Sequence, residues 1–235
     1  MCTVSFLLSY IFYNSIPMEV LLGGLGCATE VGADPNFNVE ALIFDCDGTV
    51  LDTMEWYYPG WTFVCDKFGI AFSRKKFYSC AGIPVSDIFN ILLTEQEITH
   101  VTVEQLLAEK RAFVEQRRKE SVPGRIECVC DIVRANKGKM KMAIASSGIR
   151  SHVLEGLKEN NMLQYFDAVV THEDVPDGRN KPAPDIFLLA AKMLAVAPSA
   201  CRGFEDADVG MEALRAAGMD ACDVRKMKAY PHKFD

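Results

Sequence analysis

The feature that most constrains this chain is a set of five short apolar runs, most of which stop at acidic or hydroxyl residues. Residues 39–44 form a short apolar run that ends at Asp45-Cys46-Asp47-Gly48. A run this short, closed by carboxylates and a glycine, reads as a buried parallel strand whose carboxyl end carries polar groups. Residues 141–145 end in the same way at Ser146-Ser147-Gly148, and residues 201–204 end at Glu205-Asp206. Residues 166–170 and 220–224 complete the set. Between them lie stretches of helical period. Residues 151–160 place Val153, Leu154 and Leu157 on one face, with Ser151 as the expected cap. Residues 184–194 turn Ile186, Phe187, Leu189, Ala190 and Met193 inward, and residues 209–217 are closed by Gly218. Strand and helix in alternation predict an α/β fold built on a doubly wound parallel sheet.

One stretch breaks the alternation. From about residue 54 to residue 122 the pattern is helical throughout, until Pro123-Gly124 marks the return of strands. The expected organisation is a core of residues 39–54 and 123–235, with residues 55–122 inserted as a helical cap. Within the cap, the charges from Glu104 to Lys119 read as a solvated helical face, and Trp56, Tyr57 and Trp61 as packing residues. Residues 1–38 are expected to lie outside the core fold. Their apolar stretch over residues 4–13 is too short to span a bilayer, and no Lys or Arg precedes Lys67, unlike a secretory or transit signal. The nine cysteines are scattered without a metal-type or disulfide spacing, which suits a reducing, cytoplasmic setting. A net charge of −7 argues against a nucleic-acid partner, since phosphate backbones need a basic footprint. A monomer is the default expectation.

In an open parallel sheet, ligands bind outside the carboxyl ends of the strands. Here those ends deliver Asp45 and Asp47, Ser146, the loop leading to Lys181, and Glu205 with Asp206. So many carboxylates in one place repel one another unless a cation holds them together. Oxygen ligands without nearby imidazoles suit Mg2+, and Lys181 is the candidate for neutralising an anionic substrate.

At these residues the chain resembles a known family. Asp45-Cys46-Asp47-Gly48-Thr49, Ser146 after an apolar strand, Lys181-Pro182-Ala183-Pro184-Asp185, and Glu205-Asp206-Ala207-Asp208-Val209-Gly210 are similar, in order and spacing, to the four motifs of the haloacid dehalogenase superfamily. The resemblance implies a phosphatase acting on a small soluble phosphate ester. Asp45 would be the nucleophile and would form an aspartyl phosphate, and Asp47 would be the general acid and base. Ser146 and Lys181 would contact the transferring group. Mg2+ would be held by Asp45, Asp206 and the backbone carbonyl of Asp47, with Glu205 assisting. Asp208 and Ser147 would be structural, Ser147 standing at the start of the next helix.

The inserted helices resemble the cap of the β-phosphoglucomutase-like branch, which favours small metabolites. The mutases carry a histidine and an arginine where this chain has Tyr57 and Val85, so water is the expected acceptor. The segment from Phe204 through Ala221 is similar to that of bacterial phosphatases acting on fructose 1-phosphate and 6-phosphogluconate. A hexose-phosphate mutase and a non-catalytic binding module stand as the alternatives. Arg202-Gly203 departs from the two apolar strand residues of relatives, and the expectation there is a loosened strand.

Overall fold

A computed structural model describes residues 38–176 and 179–232. The expectation for residues 1–38 therefore falls, but for the last of them, outside the described residues. Five parallel strands form the main sheet: β1 (Ala41–Phe44), β4 (Lys141–Ser146), β5 (Ala168–Thr171), β6 (Cys201–Glu205) and β7 (Asp220–Asp223). Their spatial order is β5-β4-β1-β6-β7. The chain thus leaves β1 on one side, builds β4 and β5, and crosses back to lay down β6 and β7 on the other. The strand order reverses at β1, where an open sheet leaves a crevice for a ligand.

Both faces of this sheet are covered, which is why its strands are apolar without alternation. Leu42 and Phe44 of β1 point into a core shared with α5 (Glu127–Asn136) and α6 (Arg150–Glu159). Ala41 and Ile43, one residue out of phase, point into a second core shared with α7 (Asp185–Leu194) and α8 (Asp208–Ala216). All four are fully buried.

Residues 53–120 contain four helices: α1 (Thr53–Lys67), α2 (Arg74–Ser79), α3 (Val85–Glu95) and α4 (Val103–Glu120). They enclose a third core around Trp61, Val64, Phe77, Phe89, Leu92 and Leu106. The Thr102 side chain accepts from the backbone of Gln105 while Gln105 accepts from that of Thr102, a reciprocal cap that starts α4. The insertion leaves and rejoins the core through two strands of two residues, β2 (Leu51–Asp52) and β3 (Gly124–Arg125), paired antiparallel. Runs this short carry no periodicity, and the sequence does not announce them.

Several local expectations need correction. Arg202 and Gly203 do not loosen β6, which runs unbroken and buried from Cys201 to Glu205. The Arg202 guanidinium donates to Asp220 of β7 at 2.5 Å, so the buried charge has a partner in the next strand. A side chain at Gly203 would collide with Leu214 of α8, so the glycine sets the close approach of helix to sheet. α6 begins at Arg150 after an extended Ile149, whose carbonyl accepts from Val153 at 3.0 Å. Ser151 therefore lies inside the first turn, and Ser147 precedes the helix in the bend. On α7 the buried stripe is Ile186, Phe187, Ala190, Ala191 and Leu194, which leaves Met193 56% exposed.

Candidate active site

The backbone of β1 carries Asp45 straight to the reversal point, where its N–H donates to the Phe204 carbonyl of β6 at 3.0 Å. The chain then turns sharply. Val50 and Leu51 N–H groups both return to the Cys46 carbonyl, and Gly48 takes φ +91°. A side chain at Gly48 would meet the Asp206 carboxylate, so this glycine is needed for both its dihedral and its lack of bulk. Tyr230 braces the turn from outside, its hydroxyl donating to the Gly48 carbonyl at 2.7 Å.

Asp45, Glu205 and Asp206 are buried together, each offering one carboxylate oxygen within 4.8 Å of the others. The Lys181 ammonium enters this cluster, donating to Asp45 at 2.5 Å and to Glu205 at 2.8 Å. It also lies over the Phe187 ring, 4.9 Å from the centroid. The other Glu205 oxygen accepts the backbone N–H groups of Asp206 and Ala207, each at 2.6 Å. Glu205 thus fixes both the lysine and the loop bearing Asp206. Asp206 in turn accepts from the Thr49 hydroxyl at 3.0 Å.

Three buried carboxylates face one ammonium, and the titration shifts reflect that imbalance. Burial raises Asp45 to about 7, against the pull of Lys181 and with the push of Glu205. Burial, and then the charges of Glu205 and Asp45, hold Asp206 well above the ordinary carboxylate range. Burial alone would lower Lys181, but Asp45 and Glu205 outweigh it and raise the ammonium. This all-oxygen donor set could hold a hard divalent cation, whose charge would offset the excess of carboxylates.

Asp47 is turned elsewhere. Its carboxylate accepts from the Ser146 hydroxyl at 3.4 Å, and Ser146 accepts from the Gly148 N–H at 3.0 Å. Burial raises Asp47 above the ordinary range, opposed by its hydrogen bonds. It lines a cavity of about 30 Å3 with Tyr57, Arg118, Gly148 and His152 among its neighbours. Two carboxylates two residues apart therefore occupy different surroundings, one among charges and one facing a space under the inserted helices.

The structure thus gathers Asp45, Lys181, Glu205 and Asp206 into one cluster and sets Asp47 with Ser146 beside it. Asp208 stands apart, its side chain 90% exposed and paired with Arg225. Of the two cap positions compared with the mutases, Tyr57 lines the cavity, and Val85 is the first residue of α3 and is not among the residues lining it. The sequence does not mark Thr49, Tyr230 or Arg118 as site residues, and His152 is too isolated in it to be argued as a ligand. Thr49 had a signal, being the last residue of the first motif.

The charges of α4 are not uniformly solvated. Glu104, Arg111, Glu115 and Lys119 are exposed, but Lys110 lies over the rings of Trp61 and Tyr57 at 4.8 and 5.3 Å. Arg117 and Arg118 lie over Trp56 at 5.2 and 5.8 Å. Their aliphatic stems cover aromatic surface, which is how long cations share a partly buried face.

These features agree with comparisons to known proteins. The family described as haloacid dehalogenase-like hydrolase matches residues 42–224. The Escherichia coli fructose-1-phosphate phosphatase YqaB is 37% identical over 185 residues, covering 78% of this chain and 95% of that protein. A Bacillus subtilis β-phosphoglucomutase is 29% identical over 195 residues, covering 79% and 83%. The crystal structure of a Clostridium difficile β-phosphoglucomutase superimposes with a TM-score of 0.64 at 26% identity, covering 78% of this chain and 83% of that one. The chain belongs to the haloacid dehalogenase-like hydrolases, as an enzyme of phosphatase type.

Proposed function

We propose that the protein hydrolyses a small phosphorylated metabolite, a sugar phosphate, through an aspartyl phosphate on Asp45. The observation that carries this reading is the buried Lys181–Asp45 pair at 2.5 Å within the acidic cluster, with Asp47 set apart. Lys181 holds one Asp45 oxygen, orients the carboxylate, and is the fixed positive charge for the phosphoryl oxygens. An Asp45 oxygen attacks phosphorus as the bond from phosphorus to the ester oxygen breaks. Asp47, whose raised pKa favours a bound proton, gives that proton to the departing oxygen. It then takes a proton from the water that attacks the aspartyl phosphate, releasing inorganic phosphate and restoring Asp45. Asp45, Asp206 and the Asp47 carbonyl, with Glu205 assisting, would hold Mg2+, and a bound ion would supply charge that offsets repulsion between carboxylate and phosphoryl group.

The inserted helices act as a lid in this reading. They touch the core over the site, since a side chain at Gly82 would run into Val209 of α8. A cavity of about 30 Å3 has room for roughly one or two waters, so a sugar enters with the lid displaced. Water rather than a sugar hydroxyl is the favoured acceptor, because Val85 supplies no charge and Tyr57 offers a neutral hydroxyl at the two positions compared with the mutases. Burial and the Asp47 charge raise that phenol to about 12.

The test is phosphate release from fructose 1-phosphate, 6-phosphogluconate and β-glucose 1-phosphate, with and without Mg2+, by wild type and Asp45→Asn. Magnesium-dependent release that disappears in the variant is expected. Isomerisation of β-glucose 1-phosphate without release would replace hydrolysis by the mutase reading, and neither activity would leave a binding module.

A further inference from the structure

We propose that Arg118 selects substrates whose leaving group carries a second anionic group, a carboxylate or a further phosphate; this rests on the phosphatase reading above. If Asp47 protonates the departing oxygen, the leaving group occupies the cavity that Asp47 shares with Tyr57, Arg118 and His152. Among the residues lining that cavity, Arg118 is the one fixed positive charge.

A plainer role for Arg118 is available. It lies in the last turn of α4, where a cation complements the helix dipole, and it bridges to Glu155 of α6 at 2.5 Å. Its stem also packs on the Trp56 ring, which accounts for part of its burial; three observations go beyond these roles. The Arg118 side chain is only 15% exposed whereas Glu155 is 53% exposed, so the pair is lopsided, with the guanidinium inside and the carboxylate on the rim. The Arg118 Nε is buried and has no hydrogen-bond partner, which leaves a donor of the fork unused. The guanidinium also sits beside the Tyr57 hydroxyl and within the fields of Asp47 and His152. An inward arginine with a spare donor, held by a partner that water can replace, is suited to accept an anion in bidentate geometry. Displacing the lid to admit substrate parts Arg118 from Glu155 and presents the guanidinium to whatever enters.

The test compares matched substrates. Glucose 6-phosphate and 6-phosphogluconate differ by a carboxylate at the far end, and fructose 1-phosphate and fructose 1,6-bisphosphate by a second phosphate. The ratio of kcat/KM values within each pair is measured for wild type, Arg118→Met, Arg118→Lys and Glu155→Gln. Arg118→Met is expected to lower the anionic-to-neutral ratio by about 10- to 100-fold in at least one pair, and that pair identifies the group. Arg118→Lys should restore part of it. Glu155→Gln, on the exposed partner, should raise the ratio. If both members of each pair fall in parallel in Arg118→Met and Glu155→Gln, the ion pair is only a closing latch and the proposal is wrong. If wild type releases phosphate from none of the four, the phosphatase reading fails. The Arg118 assignment is then read from calorimetric binding of the same pairs to Asp45→Asn and its Arg118→Met double variant, where an unchanged ratio overturns it.

Discussion

The sheet end and the inserted helices meet at one site but build it by different means. At the sheet end most participating side chains have their place dictated by a strand end or by the turn after it. Asp45 follows the last residue of β1, Glu205 closes β6, and Thr49 and Gly48 belong to a turn whose hydrogen bonds run back to Cys46. In the insertion, Tyr57 and Arg118 reach the cavity from two helices, and Lys110 reaches the Tyr57 ring beside it. Their placement depends on how those helices pack on each other and on the core. The first arrangement tolerates little change without loss of chemistry. Under the proposed function, the second could change its side chains while the chemistry stays, as a surface that chooses among substrates would require.

Substitutions at the sheet end should therefore affect all substrates alike. The largest effect is expected for Lys181→Met, which removes the cation that touches both Asp45 and Glu205. Loss of one preorganised charge at a reacting centre costs about 1,000-fold in rate; a kcat reduction confined to some substrates would break the contrast. Thr49→Val removes the hydroxyl that Asp206 accepts at 3.0 Å. Removing such a supporting donor weakens metal affinity by about 10- to 100-fold, so the Mg2+ concentration for half-maximal activity should rise by that factor while activity at saturating Mg2+ recovers. Arg202→Met tests the opposite end of β6. It strips Asp220 of a buried partner and should cost about 3–5 kcal/mol in denaturant unfolding, with kcat of the folded fraction unchanged. A kcat loss there would mean that β6 transmits strain to Glu205.

The contrast also explains what the sequence made legible. The site at the sheet end was readable because strand ends impose order. A short apolar run followed by Asp45-Cys46-Asp47-Gly48 leaves few places for the carboxylates to go, and four such ends converge wherever the strand order reverses. Arg202 and Gly203 read as unfavourable in a strand because what accommodates each lies in another element, Asp220 in one case and Leu214 in the other. β2 and β3 were invisible because two residues carry no period. In the insertion, helices were legible but their faces were not. Lys110, Arg117 and Arg118 carry the same letters as solvated charges, and only the aromatic surface of Trp56, Tyr57 and Trp61 distinguishes them.

Lys110 allows the smallest but most specific check on the insertion. Burial lowers its ammonium from the ordinary 10.5 to about 8, and it lies over the rings of Trp61 and Tyr57. Below pH 8 the side chain is charged in folded and unfolded chains alike, and the folded protein bears the full desolvation cost. Between pH 8 and 10.5 the folded chain has shed the proton that the unfolded chain still holds, so this contribution to stability improves as pH rises. Lys110→Met removes the charge while keeping an unbranched apolar stem. At pH 7 it should stabilise the protein by about 1–2 kcal/mol, the shift being discounted for partial exposure and for the lost ring contacts. The difference between variant and wild type in urea unfolding should shrink steadily from pH 8 to pH 9.5. A constant difference would place Lys110 in water, and α4 would then be the solvated face that its sequence suggests.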